Sequence, residues 1–130
     1  LGIAGKTRFL GERDDVGELI GAGDVLLLSS RSEGVPQAVT QALGLGRPVV
    51  ATRVGGVPEL VEDGVSGKLV EPEDVAGMAR PLATLAGDAA LRRRMGEAGR
   101  EHVRADYSLA TMLDRTEALY LRLLGARRTS

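Results

Sequence analysis

The stretch SSRSEGVPQAVTQALGLGRPVVATRVGGVPE, residues 29–59, most constrains what this chain can fold into. An apolar run at 25–28 precedes it, and a second run at 49–51 lies within it. Between the two runs, Pro36 suits the first turn of a helix and Gly46 suits a helix end. We therefore predict a strand, a polar loop, a helix and a second strand, in that order.

The same alternation extends over the first half of the chain. Strands that alternate with helices form parallel sheets, and right-handed crossovers place the loops after the strands at one edge. The sequence therefore predicts an α/β fold with flanking helices around a parallel sheet. Strands are predicted at 7–10, 25–28, 49–51 and 68–70, and helices at 16–22, at 37–45 and from Pro58 to about 62.

The second half is predicted to be helical. Acidic residues around Pro72 begin a helix that runs to about residue 85, and Pro81 is expected to kink or interrupt it. Asp88 is a good N-cap for a helix reaching about residue 104. Ser108 caps a last helix, which carries an apolar stripe at helical spacing. Residues 125–130 are predicted to be a frayed tail.

Composition excludes several classes of protein. The 130 residues suit one domain, and 17 Lys and Arg against 18 Asp and Glu favour neither nucleic acid nor an anionic membrane as partner. The chain has no cysteine for a disulfide or thiolate metal site, and no apolar run of membrane-spanning length. We expect a cytoplasmic protein, peripheral to a membrane at most. A first residue other than methionine suggests a fragment of a longer protein.

Three polar, glycine-bearing loops follow the first three predicted strands: GERDD, SSRSEG and TRVGG. In the second, Gly34 allows close approach of a ligand, and Gln37 and Ala38 would present free N–H groups at a helix start. Glu33 could accept hydrogen bonds from sugar hydroxyls beside them. Equally, Glu33 could be an ordinary first-turn acid that favours the helix dipole. The residues alone leave these two interpretations open.

Several motifs occur together in a familiar order. These are EGVPQAVTQAL, GRPVVAT and GGVPELVEDGVSG, preceded by FLGERDDVGELIGAGDVLLLSS and followed by LRRRMGEAGREHV and YSLATMLDRTEALY. Together they resemble the donor-binding C-terminal half of retaining glycosyltransferases with the GT-B fold, family four or glycosyl transferases group 1. The resemblance covers essentially the whole chain. It implies a Rossmann-like sheet, here truncated at its N-terminal strand, with residues 1–124 forming a nucleotide-sugar-binding domain.

The resemblance also implies roles for individual residues. Glu33 matches the first acid of an E-x7-E motif and would contact the transferred sugar as the catalytic residue. The second acid, which binds the ribose hydroxyls, falls on Gln41, which accepts hydrogen bonds less well than a carboxylate. A Gln41→Glu variant with unchanged nucleotide affinity would show that the glutamine is a neutral replacement. The other expected donor contacts are Gly11, Arg13 and Asp15 near the base, and Ser30, Gly34, Val35, Pro36, Gln37, Ala38, Gly55 and Gly56 near the sugar and phosphates.

Other expectations concern what lies outside these motifs. In the family a basic Arg and Lys pair upstream neutralises the diphosphate, and an N-terminal domain binds the acceptor, expected to be a glycan, a lipid or a small molecule. This chain alone is therefore expected to be inactive, to need no metal or cofactor, and to be prone to oligomerise through its unpaired edge. The nucleotide-diphosphate sugar would be a substrate.

Alternative functions are a nucleotide-sugar epimerase or phosphorylase-like protein, a binding or regulatory module that has lost catalysis, and a purely structural α/β module. The only histidine, His102, is interpreted as part of a solvated helix face.

Overall fold

The structure is a computed structural model that describes residues 2–127, with side chains to residue 125. It contains three strands, β1 (Leu26–Leu28), β2 (Val49–Thr52) and β3 (Gly67–Val70). They form one sheet that is parallel throughout and has the order β1-β2-β3. In register, Leu27 pairs with Val50, and Val50 pairs with Lys68. The predicted parallel α/β fold is confirmed.

Six α-helices and one short 3-10 turn surround this sheet within the described residues. These elements are the 3-10 turn Ala4–Lys6, α1 (Val16–Ala22), α2 (Gln37–Gly44), α3 (Val57–Leu60), α4 (Val75–Gly87), α5 (Ala89–Asp106) and α6 (Leu109–Arg127). Helix α1 has the predicted bounds, and α2 ends one residue earlier than predicted.

Strand β2 lies at the centre of the core, and all four of its residues are buried. Successive side chains of a strand point to opposite faces, so β2 contributes to two apolar clusters. Val49 and Ala51 pack with residues of α2, α3 and α5, whereas Val50 packs with Leu85 of α4 and Met95 of α5. Burial on both faces explains why the first three residues of β2, 49–51, are an unbroken apolar run in the sequence.

The predicted caps of the last two helices are present. The Asp88 carboxylate accepts a hydrogen bond from the Leu91 N–H at 2.8 Å, and the Ser108 hydroxyl accepts one from the Thr111 N–H at 3.1 Å.

The predicted interruption of a helix at Pro81 is wrong, because α4 continues past it to Gly87. A proline removes one N–H donor from a helix, and the flanking turns of α4 stay helical despite that loss.

One expectation near the start of the chain is wrong. Residues 7–10 form no strand, because nothing in the described chain pairs with them, and the Phe9 side chain is 97% exposed. A strand needs a hydrogen-bonded neighbour to be stable.

The frayed tail predicted for 125–130 stays a prediction. Helix α6 ends at Arg127, and residues 128–130 lie outside the described part. Much of its apolar stripe, including Leu109 and Met112, is exposed.

No helix within residues 2–127 combines the length and the apolar character needed to cross a membrane.

Candidate functional site

The loops after β1 and β2, residues 29–36 and 53–56, contact each other through their backbones, and we call them the loop junction. The Gly56 N–H donates a hydrogen bond to the Gly34 carbonyl at 2.8 Å. A Cβ atom added to Gly55 would lie 1.8 Å from the Glu33 carbonyl oxygen, and Gly55 has a φ of +52°. Both the close approach and the positive φ require glycine there. The structure thus brings the backbones of Glu33 and Gly34 against those of Gly55 and Gly56.

Two hydroxyl groups connect the end of β2 to the Glu33 carboxylate. The buried Thr52 hydroxyl donates to the Ser30 carbonyl at 2.6 Å, and the Ser30 hydroxyl donates to Glu33 Oε1 at 2.5 Å. Glu33 is half-buried, and Ser30 therefore restrains its carboxylate at the edge of the sheet. The sequence analysis did not predict this contact of Thr52. The feature that could have indicated it is a hydroxyl side chain directly at the end of an otherwise apolar strand.

Helix α2 begins four residues after Glu33. Pro36 is its buried N-cap residue, and the Pro36 carbonyl accepts from the Val39 and Thr40 N–H groups. No acceptor within residues 2–127 binds the N–H groups of Gln37 and Ala38. Free N–H groups at a helix start carry partial positive charge and bind anions or hydroxyl oxygens. The arrangement therefore offers one carboxylate and two donors to a polar ligand. Val35 lies beside them and is exposed.

Gln41 lies one turn further along α2, and its side chain is exposed. It forms no hydrogen bond with another side chain among the described residues. Its predicted contact with a ribose stays a prediction.

The predicted base-binding residues lie in a separate segment, residues 11–15. Arg13 donates two hydrogen bonds to the Asp15 carboxylate, each 2.6 Å long. This contact lowers the pKa of Asp15 and raises the pKa of Arg13. Gly11 has a φ of +67° with open space around it. Within the described chain, no hydrogen bond or ion pair joins this segment to the loop junction. The structure thus brings the loops after β1 and β2 into contact, and the convergence of the third loop stays a prediction.

A cavity of about 400 Å³ lies next to the loop junction, where the ends of all three strands meet. Arg31 forms an ion pair with Glu73 at 3.5 Å across its mouth. The segment after β3 was not predicted to contribute. The cavity is lined by Ser29, Ser30, Arg31, Thr52, Glu71, Glu73, Asp74, Val75 and Met78. In the described part of the chain, no group of three or more His, Cys, Asp or Glu side chains is placed to hold a metal ion.

Arg53, the first residue of the second loop of the loop junction, forms two ion pairs. It lies 3.2 Å from Glu71 and 3.3 Å from Asp63. Burial raises the pKa of Asp63, but the Leu69 N–H together with Lys68 and Arg53 outweighs it, so the pKa is lowered overall. The two ion pairs therefore compensate the charge of Arg53 within the fold.

His102 is not part of a solvated helix face, and that interpretation is wrong. Its Nε2 atom lies 3.1 Å from the carbonyl oxygen of Glu59, and only about a third of its side chain is exposed. The neighbouring charged residues of α5 hid this role, because an isolated histidine carries no spacing signal for a contact 43 residues away.

The fold is that of the Rossmann-like half of GT-B glycosyltransferases. The sequence model of glycosyl transferases group 1 matches residues 1–88, and the chain belongs to that family.

Two relatives illustrate the match in sequence. The chain is 36% identical over 124 residues to N-acetyl-alpha-D-glucosaminyl L-malate synthase of Bacillus anthracis, covering 95% of this chain and 32% of the relative. It is 37% identical over 122 residues to D-inositol 3-phosphate glycosyltransferase of Corynebacterium diphtheriae, covering 92% of this chain and 28% of the relative. The chain thus spans about a third of the length of these relatives.

Solved structures agree. Sucrose-phosphate synthase from Thermosynechococcus elongatus superposes with a TM-score of 0.87 at 28% identity, covering 95% of this chain and 32% of that one. Anabaena HepE in complex with UDP-glucose superposes with a TM-score of 0.85 at 29% identity, covering 92% of this chain and 34% of the HepE chain.

Proposed function

We propose that this chain is the donor-binding part of a retaining glycosyltransferase, which moves a sugar from a nucleoside diphosphate to an acceptor. The observation that carries the proposal is the Glu33 carboxylate, which Ser30 holds in the loop that leads into α2. The N–H groups of Gln37 and Ala38 at the start of that helix bind no acceptor in the described chain. Family membership supports the reaction class, and the UDP-glucose bound to Anabaena HepE supports the class of donor.

In the proposed complex, Glu33 accepts hydrogen bonds from sugar hydroxyls through Oε2, because Ser30 already occupies Oε1. The N–H groups at the start of α2 bind the sugar and phosphate oxygens. The bond between the anomeric carbon and the phosphate oxygen breaks, and its electron pair leaves with the diphosphate. The acceptor oxygen then bonds to the anomeric carbon on the same face, and its proton passes to the departing phosphate oxygen. Positioning and electrostatics supply the rate enhancement.

The leaving diphosphate also needs compensating positive charge. Arg53 is paired with Glu71 and Asp63, and Arg31 is paired with Glu73. We propose that a basic pair and an acceptor-binding domain elsewhere in the intact enzyme complete the site, and that residues 1–130 alone do not turn over.

The base and ribose contacts form the finer part of the proposal. Backbone groups around Gly11, with Arg13 and Asp15, would frame the base, and Gln41 would accept one hydrogen bond from the ribose. The donor would be a substrate, with no metal or further cofactor, and the acceptor would be a glycan, a lipid or a small molecule.

The test uses the intact enzyme and the conservative variant Glu33→Gln. Calorimetric titration with UDP, GDP and ADP first identifies the nucleotide that binds. Release of that nucleoside diphosphate from its sugar donors is then expected to fall by about 100-fold in Glu33→Gln, since a charged acceptor facing the reacting sugar is lost. Affinity for the free diphosphate is expected to stay within about threefold, because Glu33 faces the sugar.

The matched control is Glu97→Gln, which makes the same change on an exposed position of α5. It should leave both measurements unchanged. Failure of all three diphosphates to bind the wild-type enzyme would refute donor binding. Full activity of Glu33→Gln would refute the role of the carboxylate.

A further inference from the structure

The carbonyl oxygen of Glu59 receives two hydrogen bonds from residues distant in sequence. The Tyr107 hydroxyl donates to it at 2.9 Å, and His102 Nε2 lies 3.1 Å away. The two rings pack edge to face, with centroids 5.6 Å apart. Because a carbonyl oxygen only accepts, the His102 contact requires the proton on Nε2. We call this arrangement the Glu59 contact.

The Glu59 contact is close to the loop junction along the chain. Glu59 belongs to α3, which begins immediately after Gly56. The Gly56 N–H in turn donates to Gly34, the residue next to Glu33. Only two residues therefore separate the bonded carbonyl from the glycine that contacts the Glu33 loop.

The Glu59 contact fixes the orientation of α3 about its axis, which apolar packing alone does not fix. Val57 and Leu60 are fully buried and hold this four-residue helix against the core. Apolar burial is non-directional, so it tolerates rotation of so short a helix about its axis. Two directed hydrogen bonds to one carbonyl restrict that rotation, and a rotation would move Gly55 and Gly56 against the Glu33 backbone.

The surroundings keep both donors in place. Asp106 Oδ2 lies 3.7 Å from His102 Nδ1, and Arg115 binds the other oxygen of Asp106 at 2.6 Å. Burial, followed by the charges of Glu59 and Asp106, raises the pKa of Tyr107, so its hydroxyl retains the donated proton.

We propose that His102 and Tyr107 are positioning residues, which hold α3 and the Gly55–Gly56 turn so that Glu33 meets the sugar donor in one orientation. The effect on the donor rests on the function proposed above. The effect on the backbone of the turn does not, and it can be measured separately.

The first experiment measures hydrogen exchange of the Gly56 N–H in the intact enzyme. Tyr107→Phe removes only the hydroxyl, and exchange is expected to become about fivefold faster, as for the loss of one hydrogen bond. Tyr120→Phe, at an exposed position of α6, is the matched control and should leave exchange unchanged. Thr111→Val removes a hydrogen bond to the Ala105 carbonyl between α5 and α6, and controls for general loss of stability.

The second experiment compares His102→Leu with His102→Gln, whose amide N–H can replace Nε2–H. Release of diphosphate from the sugar donor is expected to fall about fivefold in His102→Leu and to recover in His102→Gln, with both variants folded. Unchanged exchange of the Gly56 N–H in Tyr107→Phe would overturn the inference. Exchange of that N–H accelerated equally by Thr111→Val would overturn it as well. An inactive wild type with faster exchange in Tyr107→Phe would instead refute only the proposed function.

Discussion

Two segments were predicted to contact the same donor, and the structure holds them in very different ways. The loop junction joins residues far apart in sequence, through Gly56 to Gly34 and Thr52 to Ser30. Residues 11–15 are joined by the Arg13–Asp15 pair, which links positions two apart. The sugar end of the proposed site is therefore fixed by the fold, whereas the base end is fixed by a local, exposed ion pair.

The difference has a chemical consequence. Groups that act on a reacting centre must be held in place before the substrate arrives, because reorientation during the reaction costs rate. Glu33 meets that requirement through Ser30 and the backbone contact at Gly34. A group that only recognises a base tolerates more freedom. We infer that the two segments divide the work, with catalysis at the loop junction and recognition at residues 11–15.

The largest expected effect comes from adding one methyl group to a glycine of each segment. Gly55→Ala places a Cβ atom 1.8 Å from the Glu33 carbonyl oxygen, so one of the two loops must move. We expect the free energy of unfolding to fall by about 3 kcal/mol. Gly11→Ala shares the positive φ but meets open space, and should cost about 1 kcal/mol.

Chemical denaturation of both variants measures the two values under identical conditions. Equal losses would mean that only the backbone angle matters, and the proposed difference between the segments would disappear.

A smaller effect is expected from the Thr52 hydroxyl. Thr52→Val keeps the shape of the side chain but removes the donor to the Ser30 carbonyl in a buried position. The free energy of unfolding should fall by about 1.5 kcal/mol, because a buried acceptor loses its partner.

Thr84→Val is the control for Thr52→Val, since the Thr84 hydroxyl donates to the Arg80 carbonyl on an exposed part of α4. Its cost should stay within about 0.5 kcal/mol. If the two threonine variants lose equal stability in urea titrations, the loop junction is held by its backbone contact alone.

The fold was predictable wherever both partners of a contact carry a local signal. The apolar run of β2, Pro36 at the start of α2 and Asp88 at the start of α5 each determine their element with little help from distant residues. The glycine pair could be predicted as a tight turn after β2. Its contact with Glu33 depends on two strand ends being neighbours, which strand-helix alternation also predicts.

What escaped prediction depends on partners distant in sequence. Phe9 has strand-like neighbours in sequence, but no strand in the described chain pairs with its segment. His102 lies among charged residues, and its partner is the backbone of α3. Thr52 looks like an ordinary end of a strand until the Ser30 carbonyl is placed beside it. Hydrogen bonds to a backbone carbonyl leave no mark on the identity of the accepting residue.

The smallest expected effect is at the ion pair of the second segment. The Arg13 hydrogen bonds lower the pKa of Asp15 in the folded protein. A lowered pKa adds stability above the unfolded value of about 3.9, and that stability is lost as the pH falls through the folded value. Both side chains are well exposed, so solvent screening keeps the effect on unfolding small.

The sensitive measurement is therefore the pKa of the Asp15 carboxyl, followed by NMR during acid titration. Arg13→Gln should return that pKa to the ordinary range for aspartate. High salt should raise the pKa of Asp15 partway toward that range in the wild type, because salt screens the Arg13 charge. Lys6→Gln, which removes a cation of the same N-terminal region, should leave it unchanged. A pKa that stays low in Arg13→Gln would mean that a group from elsewhere in the fold reaches Asp15. Residues 11–15 would then be held by a long-range contact, as the loop junction is. The proposed difference between a segment fixed by the fold and one fixed by a local ion pair would be refuted.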